Sequence, residues 1–103
     1  MSFILSTHAE ILKALGERLR LLRLMQSLTQ QELAEMAGLS PGALRKLEHN
    51  GQSSLETVVR VAVALGLTDD LDTLFLPPRQ TMRQVEAAAK ARQRQRAPRR
   101  SSS

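Results

Sequence analysis

Residues 28–50 read LTQQELAEMAGLSPGALRKLEHN, and this stretch constrains the fold more than any other part of the chain. It holds two short helical patterns joined by a tight turn, Gln30 to Ala37 and Pro41 to Glu48. Thr29 and Glu32 have the spacing of a capping box, which starts a helix. Leu33, Met36 and Ala37 fall on one face of that helix. Ala34 is small, as two nearly touching helices require. Gly38 follows, where a left-handed backbone costs least, and apolar Leu39 can plug the turn. Ser40 has an N-cap side chain, and Pro41 suits the first helical position, where a missing N–H does no harm. Leu44 and Leu47, three apart, point back to a core, leaving Gly42, Ala43, Arg45 and Lys46 facing outwards.

The rest of the chain reads as helix too. Thr7 with Glu10 is a second capping box, opening a helix from about His8 to Gln26. Its expected buried stripe is Ile11, Leu12, Leu15, Leu19 and Leu22, finished by Leu24, Met25 and Leu28. Gly16 in mid-helix costs about 1 kcal/mol against Ala, which a close helix crossing would explain. After the polar loop His49–Gln52, Ser53 with Glu56 is expected to cap a fourth helix. That helix carries Leu55, Val58, Val59, Val61, Ala62 and Leu65 and stops at Gly66. Thr68 is expected to cap a short fifth helix, with Asp69, Asp70 and Asp72 favouring its dipole and Leu71, Leu74, Phe75 and Leu76 as its apolar part. Pro77-Pro78 ends the domain.

Composition agrees with an all-α fold. A chain of 103 residues fits one domain with little left over. Phe3 and Phe75 are its only aromatics, so the core must be Leu, Val, Ile, Met and Ala. There is no cysteine, hence no disulfide, thiolate zinc site or thiol nucleophile. No apolar run approaches the ~20 residues of a membrane span, so no membrane partner is expected. The start, MSFILSTHAE, lacks the basic and long apolar regions of a signal peptide, and a cytoplasmic location is expected. Charge is divided unevenly. Residues 1–78 hold seven Lys/Arg against nine Asp/Glu, a net of −2; residues 79–103 hold eight against one, a net of +7. The expected organisation is therefore a helical domain over 1–78 and a basic tail over 79–103, helical from about Gln80 to Gln95; the tail reads equally as a solvated helix with a disordered end or as a phosphate- or partner-binding arm.

From Leu12 to Leu76 the sequence resembles the Cro/repressor-type (XRE) helix-turn-helix domains. The residues that carry the likeness are Gln30, Ala34, Gly38, Leu44 and Leu47, with ALGERLRLLR before and SSLETVVRVAVALGL after. The resemblance implies a compact five-helix DNA-binding domain whose helix 40–49 enters the major groove. It implies that Gln30 bonds a DNA phosphate and that Lys46 reads a base, with guanine O6 and N7 as fitting acceptors. Arg45 would take a base or a phosphate, and Ala43 a thymine methyl. Ser40, Pro41 and Gly42 complete the expected DNA-facing set. Pro41 and Gly42 depart from the family, whose members often carry long polar side chains there. The resemblance also implies a partly buried ion pair, Arg23 with Glu48, tying the first helix to the third.

Catalysis finds little support. No phosphate-binding glycine loop, nucleophile elbow or zinc motif appears, and the acidic residues 69, 70 and 72 have no matching ligand spacing. No enzyme activity, cofactor or metal is expected. The expected function is a sequence-specific transcription regulator, a repressor of its own operon that binds a double-stranded DNA operator as a homodimer. Small proteins of this family also resemble antitoxins, the HipB-like group among them, which pair with a toxin protein; those commonly dimerise through a C-terminal strand, and no strand pattern is present here. The alternative is a protein- or RNA-interaction module, an antitoxin or adaptor, using the same fold and the basic tail.

Overall fold

The computed structural model describes the backbone of residues 2–101 and the side chains of residues 2–79 and 82–94. The chain is all-helical: α1 His8–Met25, α2 Gln30–Ala37, α3 Pro41–Asn50, α4 Leu55–Ala64, α5 Thr68–Thr73 and α6 Arg79–Ser101. Among the described residues there is no strand. Two compact units divide the chain, one ending at Asp72 and the other beginning at Thr73.

Caps set where the helices of the first unit begin. Thr7 and Thr29 each form the reciprocal capping box, with Glu10 and Glu32 as partners. Ser40 accepts from the Ala43 N–H at 3.1 Å and starts α3, with Pro41 at its first position. The fourth helix departs from expectation by one residue. Its cap is Ser54, not Ser53, and its hydroxyl accepts from the Thr57 N–H at 3.1 Å. Glu56 is engaged by Arg60 at 2.9 Å, so it does not reach back to close a box at Ser53. Thr68 does not cap α5 but is its first residue, because the Leu67 carbonyl already accepts from the Leu71 N–H at 3.2 Å.

Gly38 ends α2 with φ +70, and the Leu39 N–H closes onto the Ala34 carbonyl at 2.8 Å. That pattern satisfies a carbonyl the helix would leave bare and reverses the chain into α3.

The core contains Leu33, Ala34, Leu44, Leu47, Val61 and Leu65, drawn from α2, α3 and α4 with the Leu65 cap. Leu19, Leu22 and Leu28 pack against it from the α1 side. The remainder of the expected stripe does not. Leu12, Leu15 and Leu24 are over two-fifths exposed, and Met25 is largely so. On α2, Met36 is exposed although it shares a helical face with the buried Leu33 and Ala37. The fully or nearly buried residues of α1 are instead Gly16 and Arg23. The reason is the way α1 meets α3. A Cβ built on Gly16 would fall on the Leu47 carbonyl oxygen, with the Glu48 carbonyl and the Gly51 amide each 3.2 Å away. Across the contact, Gly51 sits at φ +74 with the Leu12 carbonyl against it. The helices therefore touch backbone to backbone, and flanking leucines are pushed to the rim rather than into the gap.

In the second unit, α6 runs past the expected end at Gln95 as far as Ser101. The disordered end expected for the tail falls partly on residues 102–103, which lie outside the described residues. Leu74, Phe75 and Leu76 follow α5 rather than belonging to it, and all three are exposed.

Gly16→Ala should destabilise the protein by about 1–3 kcal/mol or more, because the added methyl meets a carbonyl and not a flexible side chain. The helix propensity gained by Ala is at most ~1 kcal/mol and does not offset this. An unchanged melting temperature would contradict the close crossing. The capping boxes make a second prediction. Backbone N–H donation from Thr7 and Thr29, then their hydroxyls, holds the Glu10 and Glu32 carboxyls below the ordinary glutamate range. The folded state thus binds fewer protons than the unfolded state as the pH falls. The stabilisation is complete above the ordinary glutamate range and is lost as pH drops through the depressed folded values. Carbon-detected NMR titration should find both carboxyls titrating below glutamate in a short peptide; ordinary midpoints would contradict it.

Candidate nucleic-acid interface

The third helix has two faces with different duties. Leu44 and Leu47 face inwards and are 0% and 2% exposed. One residue further round, Arg45 and Lys46 are exposed. Neither has a carboxylate within ion-pair distance among the described residues. Ser40, Pro41, Gly42 and Ala43 form the cap and first turn. The Ser40 hydroxyl is used internally as the cap, and Gly42 and Ala43 are half-buried. This end of α3 therefore offers backbone and small groups, while long polar side chains begin only at Arg45.

Behind the face lies a buried polar anchor. The Arg23 guanidinium grips Glu48 in a two-pronged contact, Nε to Oε2 at 2.7 Å and Nη2 to Oε1 at 3.0 Å. Its remaining nitrogen, Nη1, donates to the Leu28 carbonyl at 2.8 Å. Both side chains are almost fully buried, and no buried side-chain nitrogen or oxygen among the described residues lacks a partner. The anchor joins α1, the α1–α2 turn and the last turns of α3.

Gln30 also belongs to this anchor. Its Nε2 donates to Glu48 Oε1 at 3.0 Å. The side-chain donor assigned to a DNA phosphate by resemblance is thus directed at Glu48. The Gln30 backbone N–H, in the first turn of α2, is one of the groups that a helix N-terminus leaves without an intrahelical partner.

Two shallow grooves flank α3. One is bounded by Ser40, Gly42, Ala43, Arg45 and Lys46 of α3 and by the serines before α4. The other lies against α1 and brings Lys13, Glu17 and Arg20 beside Lys46 and His49. The three α1 residues escape a reading confined to the helical hairpin. Their signal is their spacing: positions 13, 17 and 20 recur at one helical face, on either side of Gly16. Gln26 has no such signal in the sequence; its Nε2 donates to the Leu65 carbonyl at 2.8 Å and ties α1 to the end of α4.

Among the described residues, no group of three or more His, Cys, Asp or Glu comes together as a metal-binding set. No helix among them is long and apolar enough to cross a membrane.

An outward basic helix, a capped hairpin with a left-handed glycine turn and a buried tie between first and third helices define a helix-turn-helix DNA-binding domain. Residues 19–71 match the family model described as Helix-turn-helix, and the chain belongs to that family, as an XRE-type DNA-binding transcription regulator. Among solved structures it is similar to the restriction-modification controller protein C.AhdI from Aeromonas hydrophila, with 32% identity and a TM-score of 0.54. That likeness covers 56% of this chain and 89% of the controller chain. No curated protein matches the chain.

Arg23→Ala should cost roughly 3–5 kcal/mol, because it strands the Glu48 carboxylate in the interior. Thermal unfolding is the check, and an unshifted midpoint would contradict the structural role of the pair.

Proposed function

We propose that the protein is a repressor of its own operon, a homodimer that reads a palindromic operator with α3. The observation that carries this reading is the exposure of Arg45 and Lys46 on a helix whose opposite face is fixed by Leu44, Leu47 and the Arg23–Glu48 pair. A charged probe on a rigid mount suits base-edge recognition, where Arg or Lys bonds guanine O6 and N7. Ala43 lies beside it and fits a thymine methyl; Ser40, Pro41 and Gly42 let the backbone come close to the duplex. The backbone N–H at Gln30 supplies a phosphate contact at a helix N-terminus. Likeness to a restriction-modification controller protein supports a role in regulation.

One such helix makes few base contacts, so two copies on half-sites about 34 Å apart are the economical solution. Uncovered apolar side chains support self-association: Leu55, Val59 and Val63 along α4, and separately Leu74, Phe75 and Leu76. Residues 79–103 act as a basic arm that adds sequence-independent attraction to phosphates. Arg79, Arg83, Lys90 and Arg94 recur at spacings that share one face of α6.

A second reading is favoured by Pro41 and Gly42, which leave the first turn of α3 without long polar side chains. It makes the domain a docking module for a protein, such as a toxin partner, or for RNA. Selection of bound duplexes from a random pool separates the two readings, since only the first yields a preferred, symmetric sequence. Lys46→Ala should then lose about 1–3 kcal/mol on that sequence and little on others. Deleting residues 79–103 should weaken every duplex alike and flatten the salt dependence by roughly 0.9 for each phosphate contact removed. Equal effects of both changes on all sequences would refute specific readout.

A further inference from the structure

We propose that Lys13 and Arg20 on α1 form a phosphate ledge that holds one DNA strand beside the reading helix α3. This rests on the DNA-reading role proposed for α3.

The ledge follows from the crossing at Gly16. Backbone contact between α1 and α3 brings the exposed face of α1 next to that of α3. Residues 13, 17 and 20 lie three before, one after and four after the glycine, so they project beside its crossing point. The groove between the helices is lined by Lys13 and Arg20 on one side and by Arg45, Lys46 and His49 on the other. Its carboxylates are already committed. Glu48 is buried under Arg23, and Glu17 holds Arg20 Nη1 at 3.1 Å on the surface. Among the described residues, Lys13, Arg45 and Lys46 have no carboxylate within ion-pair distance. The result is an excess of positive charge in a body whose sequence is net acidic over residues 1–78.

The groove is open and edged by the charged ends of Lys13, Arg20, Arg45 and Lys46, which suits an extended polyanion rather than an enclosed small ligand. A helix lying in a major groove is bordered by phosphates, and cations on an adjacent helix can reach them without touching a base. Glu17 opposes that attraction. It stands between the two cations, and its pairing with Arg20 is half-exposed and therefore weak enough to exchange for a phosphate.

The test compares the intact protein with Lys13→Gln, Lys13→Gln/Arg20→Gln and Glu17→Gln variants. Each binds its selected duplex and a random duplex of equal length across a salt series, with circular dichroism and melting recorded in parallel. Loss of one phosphate contact should lower the salt slope by about 0.9, which is roughly eightfold in affinity between 0.1 M and 1 M salt. The loss should be equal on both duplexes and roughly double for the paired variant. Glu17→Gln should tighten both. The proposal is overturned if the paired variant binds and responds to salt like the unmodified protein while Lys46→Ala still impairs binding. That outcome leaves the reading role of α3 intact. A loss confined to the selected duplex also overturns it, since Lys13 would then be reading a base. If the unmodified protein binds neither duplex, the functional reading and the ledge fail together.

Discussion

Glu48 is a carboxylate almost entirely withdrawn from water, and much of the molecule is arranged to make that tolerable. Two guanidinium nitrogens of Arg23 and the amide of Gln30 converge on its oxygens. A buried pair of this kind adds little net stability compared with a well-packed apolar pair, since desolvation consumes most of the attraction. Its value is positional. Only one mutual orientation of α1, the α1–α2 turn, the start of α2 and the end of α3 satisfies all of these bonds, so the outward face of α3 is held in one direction.

The Gly16–Gly51 contact works with this anchor. Side chains normally hold helices 8–10 Å apart. Where glycine replaces them, backbones meet, and little remains that can change rotamer. The polar anchor fixes orientation, and the glycine crossing fixes distance. With a core of aliphatic side chains and no aromatic ring, these two devices give α3 a stiffness that the packing of Leu and Val alone would not.

The hairpin was legible in the sequence because its signals are local. Thr29, Glu32, Gly38, Ser40 and Pro41 each act within a few residues, and the structure places both helices where those residues put them. At α4 the local signal points one residue early, because two serines are adjacent and the choice depends on Glu56 preferring Arg60. The α1 stripe is shorter than its periodicity suggests for a different reason. Periodicity marks which residues share a face, but whether Leu12 and Leu15 are covered depends on how deeply the neighbouring backbone sinks at Gly16. Likewise, nothing near Gln30 in the sequence announces that its amide turns to a carboxylate eighteen positions away. The exposed face of α3 was legible; the α1 wall beside it was not, because it exists only once the helices cross.

The separation of duties on α3 has an evolutionary corollary. Leu44, Leu47 and Glu48 are spoken for by the interior, whereas Arg45 and Lys46 contact nothing the fold requires. New side chains at those two places leave core volume, caps and the buried ion pair untouched. Target preference can therefore drift between descendants of this chain while the scaffold stays the same.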